Sequence, residues 1–232
     1  MARRNRPVQL VLAISGVIAA GPAAGDAALS PVPPNLLCVT EGSLGGLPRQ
    51  RLAVSVPKFR AVLGMPSRQE IAADLTYLGP TDTSARLGSG ALRQQFGLKL
   101  HAANGCNVIY AMWRFAPQPE LVVQVKSNPG LSASRACGNQ GYRTIRPEHA
   151  APIAAPEIGR SYRLAARLDR DALRVSLDGK AVWAGRLGPS ALAFDGPVGL
   201  RSDNVRLELA LSAGFTGNAG APVCPSGSEP EP

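Results

Sequence analysis

The feature that most constrains this chain is the alternation between Tyr162 and Leu211, where YRLAARLDRDALRVSLDGKAVWAGRL is followed by a loop and then by GPVGLRSDNVRLELAL. Leu164, Ala166 and Leu168 fall on one face of such a segment, as do Leu173, Val175 and Leu177, while Arg163, Arg167, Arg174 and Ser176 fall on the other. A period of two with one apolar and one polar face is the pattern of β-strands packed on a core from one side. Asp178-Gly179 stands between Leu177 and Lys180. Its tolerance of positive φ predicts a two-residue type I′ hairpin turn. With 25 Gly, 21 Pro and few aromatics, the chain favours many short strands over long helices. A length of 232 residues is enough for one domain that buries its own core.

These strands resemble the concanavalin A-like lectin and glucanase superfamily, especially its laminin-G-like and keto-disaccharide-hydrolase-like branches. The residues that carry the resemblance are the DGK hairpin with Val182 and Trp183 just after it, and the GxxGLRSDN segment formed by Gly196, Gly199, Leu200, Arg201, Ser202, Asp203 and Asn204. The resemblance covers roughly Glu70 to Ser212. It implies an all-β fold, a two-sheet antiparallel jelly-roll sandwich, and a leaning towards carbohydrates. The stretch Glu70 to Leu78 is helical by propensity, but the resemblance places a strand there. Arg51 to Val56 and Leu121 to Lys126 read as strands, and Lys58 to Leu63 as either a strand or a short helical turn. A second hairpin is expected over Arg93 to Arg114. There Phe96, Leu98 and Leu100 alternate with Gly97, Lys99 and His101, Asn104-Gly105 signals the turn, and Val108, Tyr110 and Met112 alternate with Ile109, Ala111 and Trp113.

The N-terminus has a different character. Arg3, Arg4 and Arg6 precede an apolar run from Val8 to Ala20, followed by small residues at Gly21, Ala23, Ala24 and Gly25. Those are the three regions of a secretory signal peptide, expected over residues 1–27. An uncleaved anchor is the alternative, for which the run is short. Residues 28–35 read as a Pro-rich linker, 36–224 as the sandwich domain, and 225–232 as a disordered tail without apolar content. No later segment approaches the roughly 20 apolar residues of a transmembrane span.

The expected location is therefore secreted, extracellular or periplasmic. Cys38, Cys106, Cys137 and Cys224 agree with it, since all follow the leader and none forms a CxxC pair. Of the three possible disulfide pairings, Cys106–Cys137 and Cys38–Cys224 are preferred. The first would staple the polar excursion Leu131 to Tyr142, and the second would tie the chain ends together. Four free buried thiols are the alternative.

The formal charge of +9 includes the three leader arginines, and the remaining arginines are spread along many strands. A basic surface attracts acidic polysaccharides, membranes or nucleic acid. No Lys/Arg run, aromatic interleaving or nucleic-acid motif accompanies it, so nucleic acid is not an expected partner. The partner expected is a glycan or polysaccharide, with acidic polymers among the candidates.

Laminarinase-like members of the superfamily cleave glycans with a Glu-x-Asp-x-(x-)Glu strand, and this sequence contains no Glu-x-Asp. Glu70 and Asp74, four residues apart on a strand, stand about 13 Å apart. Glycoside hydrolysis requires carboxyl groups about 5 to 9.5 Å apart. Glu120 is a further candidate acid. The ligand-binding residues expected are Trp113, Arg114, Lys99, Lys126 and Tyr142, with the indole stacking on a sugar face while the cations bond hydroxyls or carboxylates. Trp113 and Tyr110 are three apart, so only one of them faces a groove, and a core position for Trp113 is the competing reading. No cofactor is expected, with calcium the one candidate. Laminin-G-like domains hold it with loop carboxylates, and Asp169, Asp171, Asp195, Asp203 and Asn204 fall in turns or loops here, although aspartates are also ordinary turn formers. His101 and His149 have no metal-ligand spacing. The function expected is non-catalytic, lectin-like recognition of a glycan or cell-surface polysaccharide. A glycoside hydrolase of the same superfamily and a cell-envelope structural or protein-interaction module are the alternatives.

Overall fold

The alternation written into the sequence becomes two antiparallel sheets in the computed structural model, which describes residues 28–216 and 221–224. The leader expected over residues 1–27 and the tail expected over 225–232 lie outside the described residues. In chain order the strands begin with β1 (Ser30–Pro31), β2 (Leu37–Glu41), β3 (Gly45–Leu47), β4 (Arg51–Val54) and β5 (Lys58–Leu63). There follow β6 (Ser67–Pro80), β7 (Gln94–Leu100), β8 (Val108–Ala116), β9 (Glu120–Lys126), β10 (Tyr142–Thr144) and β11 (His149–Ala150). The last five are β12 (Ser161–Asp169), β13 (Ala172–Leu177), β14 (Lys180–Arg186), β15 (Gly199–Asp203) and β16 (Val205–Phe215). A nine-stranded sheet runs β11-β14-β13-β12-β6-β16-β4-β3, with β1 also paired to β16. A seven-stranded sheet runs β10-β9-β8-β7-β15-β5-β2. Together they form a two-sheet jelly-roll sandwich.

The main core lies between the sheets. β12 alternates as its sequence does, with Leu164, Ala166 and Leu168 buried against it and Arg163 and Arg167 outside. β8 is different, because Val108 to Trp113 are all buried. Ile109, Ala111, Trp113 and Phe115 enter the inter-sheet core. Val108, Tyr110 and Met112 join Cys38, Val62 and Ala102 in a second cluster on the outer face of the seven-stranded sheet. That sheet therefore buries apolar side chains on both faces, which its half-polar sequence pattern does not announce.

Local expectations fare according to how much tertiary contact overrides them. Asp178 (φ 51) and Gly179 (φ 77) both take positive φ, as a type I′ turn requires. Asn104-Gly105 does not form the expected tight turn. The β7–β8 connection runs over residues 101–107 with positive φ at His101 (φ 43), and the Asn104 side chain accepts bonds from the Cys106 and Asn107 N–H groups. Glu70 to Leu78 is strand, because β6 pairs with β12 on one side and β16 on the other, and that pairing outweighs helix propensity. Lys58 to Leu63 is β5.

The segment 28–35 is a correction to the linker reading. Ser30–Pro31 pairs with Ala213 and Ser212, and Val32 is buried and donates its N–H to Leu211 O. Proline is tolerated there because the strand is short and needs no further donor.

Both preferred disulfides are present, Cys38–Cys224 and Cys106–Cys137, closing separations of 186 and 31 residues. In the chain-entropy model each contributes about 3 to 5 kcal/mol. No helix among the described residues is long and apolar enough to cross a membrane.

Trp113 is 1% exposed, packs edge-on against Phe115 and Tyr162, and donates its indole N–H to Ala154 O at 3.1 Å. Trp113→Ala is expected to lower the unfolding free energy by about 3 to 5 kcal/mol. The check is the midpoint shift in urea with both disulfides intact.

Candidate functional site

Strand register brings four of the five expected ligand residues onto one face. On the outer side of the seven-stranded sheet, Lys99 stands opposite Tyr110 and Gln95 opposite Arg114. Tyr110 stands opposite Gln124, and Tyr142 opposite Lys126. Trp113 has the other parity. Its ring lies in the inter-sheet core, so it offers no face to a ligand, because the run Ile109-Ala111-Trp113-Phe115 is apolar throughout and is drawn inward. The aromatic side chains on the groove side are Tyr110 and Tyr142.

Lys99 and Lys126 share that face but are buried beneath it, at 3% and 1% exposure. The Lys126 ammonium donates to Gly105 O at 2.8 Å and lies 5.2 Å from the Tyr142 ring centre. Lys99 lies 6.0 Å from the centre of the Tyr110 ring, and the two tyrosines stack with centres 6.2 Å apart. Both ammonium groups therefore lie beneath that face, against the tyrosine rings.

A cleft of about 160 Å³ opens on this face, lined among others by Arg93, Gln95, Arg114, Gln124, Tyr142 and Arg201. Gly97 lies in the floor of this sheet. A Cβ at Gly97 would meet Met112 Sδ at 2.4 Å and Ala111 O at 2.5 Å, so the close strand approach there requires glycine. Asn139 joins the lining from the loop that follows the helical turn Ser134–Cys137. That loop is fixed by the Cys106–Cys137 bond and by Asn107, whose side-chain N–H donates to Leu131 O and whose side-chain oxygen accepts from the Asn128 N–H.

The back of the cleft is a buried charge network. Asp203 is fully buried and accepts from Arg60 at 2.6 Å, Gln95 at 2.6 Å and Arg201 Nε at 3.0 Å. Burial alone would raise its carboxyl. Arg201, Arg60 and the Gln95 hydrogen bond outweigh that and hold it at about 2. The Arg201 guanidinium lies 5.1 Å from the Tyr110 ring centre. Asn204, at φ 57, turns the chain into β16 and ties down the neighbouring loop. It accepts from the Ala85 N–H and donates to Ala85 O and to Arg93 O at 2.8 Å. The Arg201–Asn204 stretch thus presents one arginine and places a second.

The other candidate acids are each paired with an arginine. Glu70 pairs with Arg167 and Asp74 with Arg163, both on the outer face of the nine-stranded sheet, while Glu120 pairs with Arg114. Four of the residues considered for calcium have protein partners. Asp203 is taken by arginines, the Asn204 side chain by backbone groups, Asp171 by Arg186, and Asp195 lies 3.2 Å from His101.

Arg93, Gln95, Gln124, Asn139 and Arg201 line the cleft without being among the ligand residues expected from the sequence. Arg201 was legible through parity, because Leu200 must enter the core and its neighbour must then face out. Asn139 carries no local signal, since a disulfide delivers it.

No protein-family model and no curated protein matches the sequence. Solved structures do match. The carbohydrate-binding module CBM66 from Bacillus subtilis aligns at 14% identity over 75% of this chain and 92% of its own, with a TM-score of 0.52. Domain 4 of the extracellular arabinanase AbnA from Geobacillus stearothermophilus aligns at 14% identity over 78% and 84%, with a TM-score of 0.41. The galectin LEC-6 from Caenorhabditis elegans aligns at 14% identity over 73% and 95%, with a TM-score of 0.39. What the chain shares with the first of these is the fold, a two-sheet jelly-roll sandwich.

The Asp203 carboxyl titrates at about 2 in the folded chain against an ordinary 3.8. Its contribution of about 2 kcal/mol is therefore whole above about pH 4 and is lost as pH falls towards 2. Urea unfolding followed between pH 5 and about pH 2 should show this component in the parent and lack it in Asp203→Asn. That variant should also be about 3 to 5 kcal/mol less stable at neutral pH, because Arg60 and Arg201 lose their buried partner.

Proposed function

We propose that this protein is an exported, non-catalytic carbohydrate-binding domain that takes a glycan in the cleft on the outer face of the seven-stranded sheet. The observation that carries the reading is the combination in one cleft of the Tyr142 ring, supported from below, with guanidinium and amide groups around it. A sugar ring offers an apolar face that packs on an aromatic ring, and vicinal hydroxyls that bond planar forks of donors and acceptors. Gln124, Asn139 and Arg114 supply such forks. The cleft lining contains no Asp or Glu, which favours binding over acid–base hydrolysis at this place. The fold likeness to a carbohydrate-binding module supports the same reading. Export is supported by the two disulfides together with the leader-like N-terminus.

Depletion of the purified, oxidised protein by a panel of immobilised neutral and acidic polysaccharides tests this directly. Selective retention is expected on at least one polymer. Tyr142→Ala should weaken it about tenfold, and Tyr142→Phe, which keeps the ring, should retain most of it. Retention on no polymer, or equal retention by a folded Tyr142→Ala, would reject the reading.

A further inference from the structure

The cleft's charge carries a narrower statement about its ligand. Three arginines, Arg93, Arg114 and Arg201, line a cleft that has no carboxylate in its lining. Arg201 is anchored from behind by Asp203 and held over Tyr110, so its guanidinium is already oriented. Arg114 gives Nη1 to Glu120 at the rim, while its buried Nε has no hydrogen-bond partner. Partial burial, together with the Arg114 and Arg201 charges, pushes Arg93 below the usual arginine range, and Glu120 and Asp203 offset only part of that. Like charges gathered in a half-buried site repel one another, and an anion placed among them would relieve the repulsion.

The outer face of the nine-stranded sheet is organised otherwise. There Arg163 meets Asp74, Arg167 meets Glu70 and Arg51 meets Glu208 across neighbouring strands. The cleft's cationic character is therefore local and does not follow simply from a basic chain. A cavity of about 160 Å³ is smaller than the roughly 300 Å³ or more of a drug-sized site, and it suits one charged substituent with part of its ring.

Resting on the glycan reading, we propose that the cleft selects glycans bearing an anionic group, a ring carboxylate or a sulfate ester. Arg114 and Arg93 take its oxygens as N–H donors at the mouth, and Arg201 completes the cradle behind. Planar guanidinium forks match carboxylate and sulfate oxygens better than they match neutral hydroxyls, and charge-assisted bonds are the stronger ones.

Titration calorimetry with the disulfide-bonded protein tests this using two matched pairs of ligands. One pair is a hexuronate oligosaccharide and its methyl ester, and the other a sulfated oligosaccharide and its desulfated parent. Tighter binding of one acidic member over its neutral twin is expected, and which pair discriminates identifies the group. Arg93→Gln and Arg114→Gln should each weaken the acidic ligand about tenfold or more and the neutral twin by a much smaller factor. Glu120→Gln, which frees Arg114, should tighten the acidic ligand several-fold, an effect that misfolding cannot produce. Arg174→Gln removes the same charge from the exposed far face of β13 and should change nothing. Equal, Tyr142-dependent binding of acidic and neutral twins would overturn this inference and leave the glycan reading standing. Equal losses in Arg174→Gln and Arg93→Gln would reduce the effect to general electrostatics and overturn it too. Binding of none of the four ligands, nor of any polymer in the retention panel, would reject both.

Discussion

The Asp203 carboxylate is the interaction on which the seven-stranded sheet depends. An unpaired carboxylate in such a place is too costly to persist, so its burial is possible only because Arg60 from β5, Gln95 from β7 and Arg201 from its own strand converge on it. Those bonds cross the centre of the sheet and lock three adjacent strands on the face away from the main core. Arg60 adds bonds to Phe59 O and Ser202 O, so one buried guanidinium satisfies backbone and carboxylate together. The network also fixes Arg201, which for the proposed ligand lowers the ordering entropy that binding would otherwise have to overcome.

The same face explains how two ammonium groups come to be buried. Lys99 and Lys126 direct their heads towards tyrosine rings, with Gly105 O receiving the Lys126 head. Tyr142 contributes one of those rings from the edge strand β10, and it reaches that position because the excursion before it is pinned by Cys106–Cys137. Covering half of an outer sheet face leaves a cleft where the cover stops. Asn139 and Tyr142 form that margin.

Much of this was legible in the sequence, and the failures have physical causes. The period-two pattern of Leu164, Ala166 and Leu168 and the Asp178-Gly179 turn are local signals, and they hold because nothing distant competes with them. Parity correctly put Trp113 and Tyr110 on opposite faces. What parity could not supply was the sign, since both strips of β8 are apolar and both are buried. Of the two readings open for Trp113, ligand platform and core, the core one holds, because volume is what the inter-sheet core demands and Trp113 fills it. Asn104-Gly105 misled for a related reason. Asparagine there works through its side chain, accepting two backbone N–H groups in a loop too long for a two-residue turn. Ser30–Pro31 looked like linker because proline suppresses strand signals, yet an edge position needs so few hydrogen bonds that β16 could still recruit it.

The net charge of +9 gains meaning only when it is divided between the faces. Along the nine-stranded sheet, cross-strand pairs such as Arg163–Asp74 and Arg167–Glu70 set several arginines beside carboxylates at the surface, where such pairs contribute little to stability but reduce the field. Around the cleft the compensating acids are displaced. Asp203 lies behind Arg201 and Glu120 beside Arg114, and neither carboxylate is part of the cleft lining that the three arginines share. A field shaped in this way is short-ranged at physiological ionic strength, within about 8 Å, and so acts on a group already seated in the cleft more than on one approaching it. The sheet's need to neutralise Asp203 from one side and the resulting surplus of donors on the other are two consequences of a single arrangement.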